Sequence, residues 1–281
     1  MIDLHTHSVL SDGSDPPGRI PELAAAAGCR AVALTDHDRL DGLAAASARA
    51  AELGVELVPG CEISCEAGLP GSMHVLVYFV ADGEGPLQDE LAGLLRAREE
   101  RNAVLAERLA ALGLPVTLAE MEEEAGEGSV GRPHVAAILV RKGVVGSIQE
   151  AFDVWLGKGT PAYVEKRRLT PAEAISLARA SGGVAALAHP LSLGLDLAAL
   201  DGTVAELAAL GLAGLESVYG RYAPDERTAL MAMAGRHGLV ATGGSDYHGT
   251  YKPDLAVGVG QGDLAVDDAV LDALRARAVA A

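Results

Sequence analysis

The sequence predicts an α/β fold in which parallel strands alternate with helices as a barrel, interrupted by one mostly helical insertion. Three observations predict it. Short apolar runs recur along the 281 residues, each followed by a turn and then a helical stretch. Polar residues suited to metal binding fall just past the ends of those runs, where the βα loops of a barrel assemble a site. Residues 86–163 break the rhythm and read as helix almost throughout.

The first run, Ile2-Asp3-Leu4, leads to His5, and Ala31-Val32-Ala33-Leu34 leads to Thr35-Asp36-His37. Val55-Glu56-Leu57-Val58 leads through Pro59-Gly60-Cys61 to Glu62, which is expected to end its strand. Val184-Ala185-Ala186-Leu187 leads to His189, Leu215-Glu216-Ser217-Val218 to Tyr219, and Leu239-Val240-Ala241-Thr242 to Asp246. Between them, residues 20–29 and 43–53 carry alanine and leucine at helical spacing. Strands spaced by helices in this way imply a parallel sheet.

Within the interruption, residues 87–112 form a long amphipathic block rich in Arg and Glu, and residues 120–127 are an acidic run read as a solvated helix face. Trp155, the single tryptophan, is expected to anchor a small core there. The expected layout is a barrel made from residues 1–85 and 164–281, which carries the site, with residues 86–163 as a helical insertion or cap. A cap of this kind excludes water and adds contacts to a substrate.

Composition narrows the function. Apolar residues make up 49% and aromatics 3%, and the net charge of −17 opposes broad adhesion to nucleic acid or membrane. An anionic substrate is still compatible, because bound divalent ions reverse the local sign. Cys29, Cys61 and Cys65 form no CxxC pair and read as buried free thiols. The first residues do not resemble a signal peptide and no apolar run approaches the ~20 residues of a membrane span. A cytoplasmic protein with no membrane contact and no stable protein partner is expected.

Six of the eight histidines, His5, His7, His37, His74, His189 and His248, lie in a series of short motifs that also brings Asp12, Glu62 and Asp246; His134 and His237 lie outside it. His5 and His7 stand at i and i+2, so on a strand both rings face the same side. Asp12 follows in the turn-like Ser11-Asp12-Gly13-Ser14, and His37 sits where its strand gives way to polar residues. A carboxylate at Glu62 can bridge two ions. His74 enters a strand, His189 precedes Pro190, and Asp246 and His248 repeat the i, i+2 spacing after Gly243-Gly244. Asp36, Asp38 and Asp41 read as caps or as groups that orient an imidazole. Histidines and carboxylates together suit divalent ions, and their number exceeds what one ion needs, so a multinuclear centre is expected.

In this order the HxH opening, TDH, the glutamate after a Pro-Gly turn, AHP and the closing GSDxH resemble the PHP (polymerase and histidinol phosphatase) phosphoesterase superfamily. The resemblance covers nearly the whole chain. It implies a distorted (β/α)₇ TIM-like barrel with a di- or trinuclear site at the strand C-termini. It further implies that His5, His7, Glu62 and Asp246 hold one ion and that Glu62 bridges to a second held also by His74 and His189. Asp12, His37 and His248 would hold a third. Two to three divalent ions are expected, with Mn²⁺ preferred and Zn²⁺ or Fe²⁺ as alternatives; Asp12, where some relatives carry His, bears on that choice.

The insertion is most similar to that of members acting on nucleotides, the nucleoside 3′,5′-bisphosphate phosphatases and RNase AM-type 5′→3′ exoribonucleases. The expected substrate is therefore a nucleotide or a short 5′-phosphorylated RNA. Substrate contacts are expected from Arg98, Arg101 and Asn102 on the long helix and from Arg132 and His134 in Gly131-Arg132-Pro133-His134, since guanidinium planes suit phosphate oxygens. Lys166, Arg167 and Arg168 border the return to the barrel. The expected reaction is phosphoester hydrolysis by metal-activated hydroxide, with Glu62, Asp246 and His189 at its centre. The alternatives are a histidinol-phosphate phosphatase, an amidohydrolase-type deaminase and a non-catalytic PHP module. Deaminases of that type use different later ligands, often a modified lysine where Glu62 stands, and a non-catalytic module is expected to lose ligands.

Overall fold

The computed structural model describes residues 1–126, 128 and 130–280, so Glu127 of the acidic run lies outside the described residues. The chain divides into two compact units, Met1–Leu91 with Arg168–Ala281, and Ala92–Arg167.

The first unit is built on a seven-stranded sheet whose strands pair in chain order. They are β1 (Ile2–Asp3), β2 (Ala31–Leu34), β3 (Glu56–Cys65), β4 (Met73–Tyr78), β5 (Val184–Leu187), β6 (Gly214–Tyr219) and β7 (Val240–Gly244). The two ends of the sheet meet: Leu4 N donates to Gly243 O at 3.2 Å, and Thr6 bridges Tyr247 in parallel. The sheet is thus nearly closed into a distorted barrel. Its interior is filled by small and branched side chains, among them Ile2, Leu4, Ala31, Ala33, Val58, Leu76 and Ala186. Tyr78 is fully buried and donates its hydroxyl to Leu4 O.

Helices α1 (Arg19–Ala26) and α2 (Leu43–Leu53) follow the first two strands. Next come α3 (Pro86–Ala111), α4 (Leu118–Ala125), α5 (Arg132–Arg141) and α6 (Ile148–Ala151), the last continuing as a π-turn over Phe152–Leu156. Then α7 (Pro171–Ala180), α8 (Leu197–Ala209), α9 (Pro224–Arg236) and α10 (Ala269–Ala280) alternate with the later strands. Helix α7 starts where the sequence says it must: Thr170 accepts from Glu173 N while the Glu173 carboxylate accepts from Thr170 N, with Pro171 as the first helical residue.

Two strand expectations are corrected. The sheet is mixed, because β4 pairs antiparallel with both β3 and β5. No helix lies between β3 and β4, and that short connection returns the chain directly, as a hairpin does. The reversal puts the start of β4, where His74 stands, at the same barrel end as the C-termini of the parallel strands. Second, β3 does not end at Glu62. Its residues 56–59 pair with β2, and from Gly60 onward it pairs with β4 instead. Pro59, which has no N–H to give, is the last residue of the β2 ladder. Gly60 is required there, since a Cβ would lie 2.2 Å from Val77 O.

The second unit has its own core of Leu105, Leu109, Met121, Val135, Ile138 and Leu156 with their neighbours, and the half-buried Trp155 packs against it. Helix α4 opens on a capping box between Thr117 and Glu120. Among the described residues no helix is long and apolar enough to cross a membrane.

Candidate metal centre

Several strands deliver their next residues to one end of the barrel. His5 and His7 follow β1 with Thr6 between them, and Thr6 turns its hydroxyl outward to Ala33 O. At the end of β7 the chain runs so close to His5 that a Cβ on Gly244 would lie 2.5 Å from His5 Cβ. Only glycine lets the two segments pass. Asp246 then adopts a left-handed φ of 54°, with its N–H on His5 O at 2.8 Å, and His189 after β5 has φ 24°. Left-handed backbone is costly for such residues and persists where surrounding contacts enforce it.

All nine side chains expected as ligands converge. Glu62 is at the centre and 1% exposed. Its Oε1 lies 3.0 Å from His74 Nδ1 and 2.9 Å from His189 Nε2. Its Oε2 lies 3.3 Å from His5 Nε2 and 3.2 Å from both His7 Nε2 and His37 Nδ1. Asp246 Oδ1 lies 3.4 Å from His5 Nε2, His7 Nε2 and His248 Nδ1. The half-exposed Asp12 sits 3.1 Å from His248 Nε2 and 3.6 Å from His37 Nε2 and His7 Nδ1.

Among the described residues, four groups have donor atoms close enough to share an ion: His5, His7 and Asp246; His5, Glu62 and His189; His37, Glu62 and His74; and His7, Asp12, His37 and His248. His5, His7, His37 and Glu62 each belong to two groups, so the sets overlap more than the resemblance implied.

Charge follows from this crowding. Burial alone would push the Glu62 carboxyl up, yet His37, His5, His74 and His189 hold it well below the usual range. Asp246 is held low in the same way by His5, His7, His248 and Lys252 against its burial. His7, despite burial, is carried up to about 9 by its bonds to Asp246 and Glu62. His37 goes the other way: burial takes it down to about 4.

The donors fit divalent ions. His5 Nε2 and His7 Nε2 face each other at 3.1 Å between two carboxylate oxygens, a place suited to a cation. His37 Nδ1 is buried without a hydrogen-bond partner and points at Glu62. The protein therefore has clusters able to hold metal ions.

Several groups around the cluster were not foreseen. Glu216 is buried with its carboxylate on His5 Nδ1 at 2.9 Å and on His189 N at 2.6 Å. Tyr219 donates to Asp246 Oδ2 at 2.8 Å, and Lys252 Nζ bonds the same oxygen. The one available signal was a charged residue inside the apolar run Leu215-Glu216-Ser217-Val218. Asp36 accepts from Ser8 N, Ser8 Oγ and Ser11 Oγ at 2.6–2.7 Å, and Ser11 Oγ in turn lies 3.3 Å from His7 Nδ1. Asp38 accepts from Ser64 N, and Asp41 pairs with Arg39 at the surface. Cys29, Cys61 and Cys65 are buried and free.

A cavity of ≈ 640 Å³ opens onto the cluster, with Arg221, Tyr222 and Lys252 on its wall beside Glu62, His74 and Asp246. Arg221 is held by both oxygens of Asp254. The remaining expected contacts belong to the helical unit. Arg101 and Asn102 are buried on α3, where Asn102 donates to Val130 O at 3.4 Å, and Arg98 is half-buried. Arg132 donates to Leu156 O and stacks over Tyr163 at 5.2 Å, while His134 Nδ1 accepts from Gly131 N. Arg168, back in the barrel unit, pairs with Glu66.

Comparison with known proteins adds the following. The family model described as PHP domain matches residues 3–125. The chain is 32% identical over 248 residues to the 3′,5′-nucleoside bisphosphate phosphatase of Chromobacterium violaceum, covering 88% of this chain and 87% of that one. It is 34% identical over 251 residues to the 5′-3′ exoribonuclease Rnm of Escherichia coli, covering 88% and 85%. A solved protein of Bifidobacterium adolescentis, described as a candidate metal-dependent phosphoesterase, superposes with a TM-score of 0.80 at 30% identity, over 98% of this chain and 96% of that one.

Proposed function

The chain belongs to the PHP family of metal-dependent phosphoesterases, and from this premise we propose that it hydrolyses phosphate esters of nucleotides. The substrate would be a nucleoside 3′,5′-bisphosphate, a short 5′-phosphorylated RNA, or both. The observation that carries the reading is Glu62, whose two oxygens face two different sets of imidazoles at the floor of a cavity walled by Lys252 and Arg221.

Divalent ions bound here, Mn²⁺ in our reading, supply Lewis acidity that activates water and offsets charge on phosphoryl oxygens. His5, His7, Glu62 and Asp246 would hold one ion, with Glu62 shared towards His74 and His189. Asp12, His37 and His248 would hold another nearer the surface. Glu62, Asp246 and His189 would then border the scissile phosphate. Lys252 neutralises the second oxygen of Asp246 and leaves the first to its imidazoles. Arg221 presents a guanidinium whose geometry matches phosphate oxygens.

The helical unit takes the rest of the substrate in this reading. Arg132 and His134 lie in the first turn of α5, where the positive end of the helix dipole favours an anion such as a second phosphate. Arg98, with Arg101 and Asn102 buried on the same face of α3, belongs to the same proposed cap.

The test is phosphate release by the full chain with Mn²⁺ from adenosine 3′,5′-bisphosphate, histidinol phosphate, 5′-AMP and a short 5′-phosphorylated RNA. Preference for the bisphosphate, or stepwise release of mononucleotides from the RNA, is the expected result. Preference for histidinol phosphate would replace the nucleotide reading, and turnover of none of the four would contradict it.

A further inference from the structure

Strand β6 lies between β5, which leads to His189, and β7, which leads to Asp246, yet it supplies none of the nine expected ligands. It supplies Glu216 and Tyr219 instead. On a regular strand, residues three apart point to opposite faces. Here the pairing with β7 shifts between Glu216 and Val218: Glu216 stands opposite Thr242, and Val218 opposite the very next residue, Gly243. The extra residue is a bulge, and it turns both side chains to the same site. Gly243 accommodates it, for a Cβ there would lie 2.4 Å from Val218 O.

We propose that the bulged strand β6 is the positioning element of the metal centre, with Glu216 and Tyr219 as positioning residues for ligands on both sides. This rests on the assignment of His5, His189 and Asp246 as ligands. Glu216 fixes His5 with Nδ1–H donating, so that Nε2 carries the free lone pair towards Glu62 and Asp246. Its other oxygen holds the N–H of His189, which keeps that residue in its left-handed conformation. Tyr219 occupies Asp246 Oδ2 and so leaves Oδ1 for the imidazoles. One strand therefore ties together ligands that come from three others.

The choice of a carboxylate is informative. Both of its partners are donors, so two acceptor oxygens are required. A glutamine of the same shape has only one acceptor oxygen and turns an NH₂ towards the second donor. Glu216→Gln thus keeps the volume and loses one of the two ties.

The experiment titrates the metal-stripped full chain with Mn²⁺ and reads bound equivalents and affinity for wild type, Glu216→Gln and Tyr219→Phe. Melting temperatures of the metal-stripped proteins are measured alongside. The expected result is a loss of affinity in Glu216→Gln of about 10–100-fold, the range for groups that orient metal ligands, with the metal-stripped melting temperature retained. If Glu216→Gln does not fold, weaker binding by Tyr219→Phe, with its metal-stripped melting temperature retained, supports the inference. Wild-type affinity in the folded variants overturns it, as does a loss of affinity that only tracks a fall in the metal-stripped melting temperature. A wild-type chain that takes up no Mn²⁺ overturns the ligand assignment as well, whereas equal binding by wild type and variants overturns this inference alone.

Discussion

Glu62 and His189 meet at 2.9 Å, Oε1 to Nε2, across 127 positions of sequence. The contact joins the middle of one strand to the residues that follow another, and the second oxygen of Glu62 is left to His5, His7 and His37. One carboxylate thus serves two sets of imidazoles, which is what a bridging ligand must do.

Replacing that carboxylate tests the bridge. Glu62→Gln keeps the volume but removes the charge that holds the cluster, and it should lower phosphate release by at least about 100-fold, the upper end of what even indirect ligand changes cost. Bound metal should fall with it, read by elemental analysis of the purified variant. Full metal content together with full activity would contradict the bridging role.

Metal affinity should depend on pH with a definite sign. Burial opposes charge on His7, but its bonds to Asp246 and Glu62 carry its pKa up to about 9 in the metal-free protein. An ion needs the neutral ring, so below about pH 9 binding must expel a proton. Apparent affinity should rise about tenfold per pH unit for each proton displaced, and the His7 contribution should level off above pH 9. Calorimetric titrations in buffers of different ionisation enthalpy would count the protons, and a count of zero at pH 7 would contradict this.

Asp12 differs from the inner carboxylates in being half-exposed, and its contacts are His7, His37 and His248. Asp12→Ala should therefore cost one bound equivalent at most and leave the ions on Glu62 in place. Metal counting on the variant checks this, and loss of every equivalent would show that the surface group is not separable.

A stability prediction isolates the close passage of β7 and His5. A methyl on Gly244 has no room beside His5, so Gly244→Ala should destabilise the metal-stripped protein by about 1–3 kcal/mol through overpacking. Urea unfolding followed by circular dichroism measures it, and an unchanged midpoint would mean that the backbone shifts freely.

Much of the centre was legible in the sequence because its residues are punctuation. His5 and His7 share a face by spacing alone, and Asp246 with His248 repeats it after two glycines. The interruption by helices was legible from periodicity, and α3 begins and ends within a residue or so of its amphipathic block. The direction of β4 was not, since alternating apolar residues carry no sign of parallel or antiparallel pairing. The continuation of β3 past Glu62 was hidden for a related reason: Pro59-Gly60 reads as a turn, and only the exchange of one pairing partner for another makes it strand. Glu216 was hidden because a single charged residue in an apolar run gives no spacing to read, and the bulge that aims it exists only in the register between β6 and β7.

The most direct test of the central claim is a single titration of the metal-stripped chain with Mn²⁺, following bound equivalents and phosphate release from a nucleoside 3′,5′-bisphosphate in the same samples. The account predicts no release without metal and a rise in rate as the second equivalent binds. Turnover at full rate in the metal-stripped chain, or none with two equivalents bound, would contradict it.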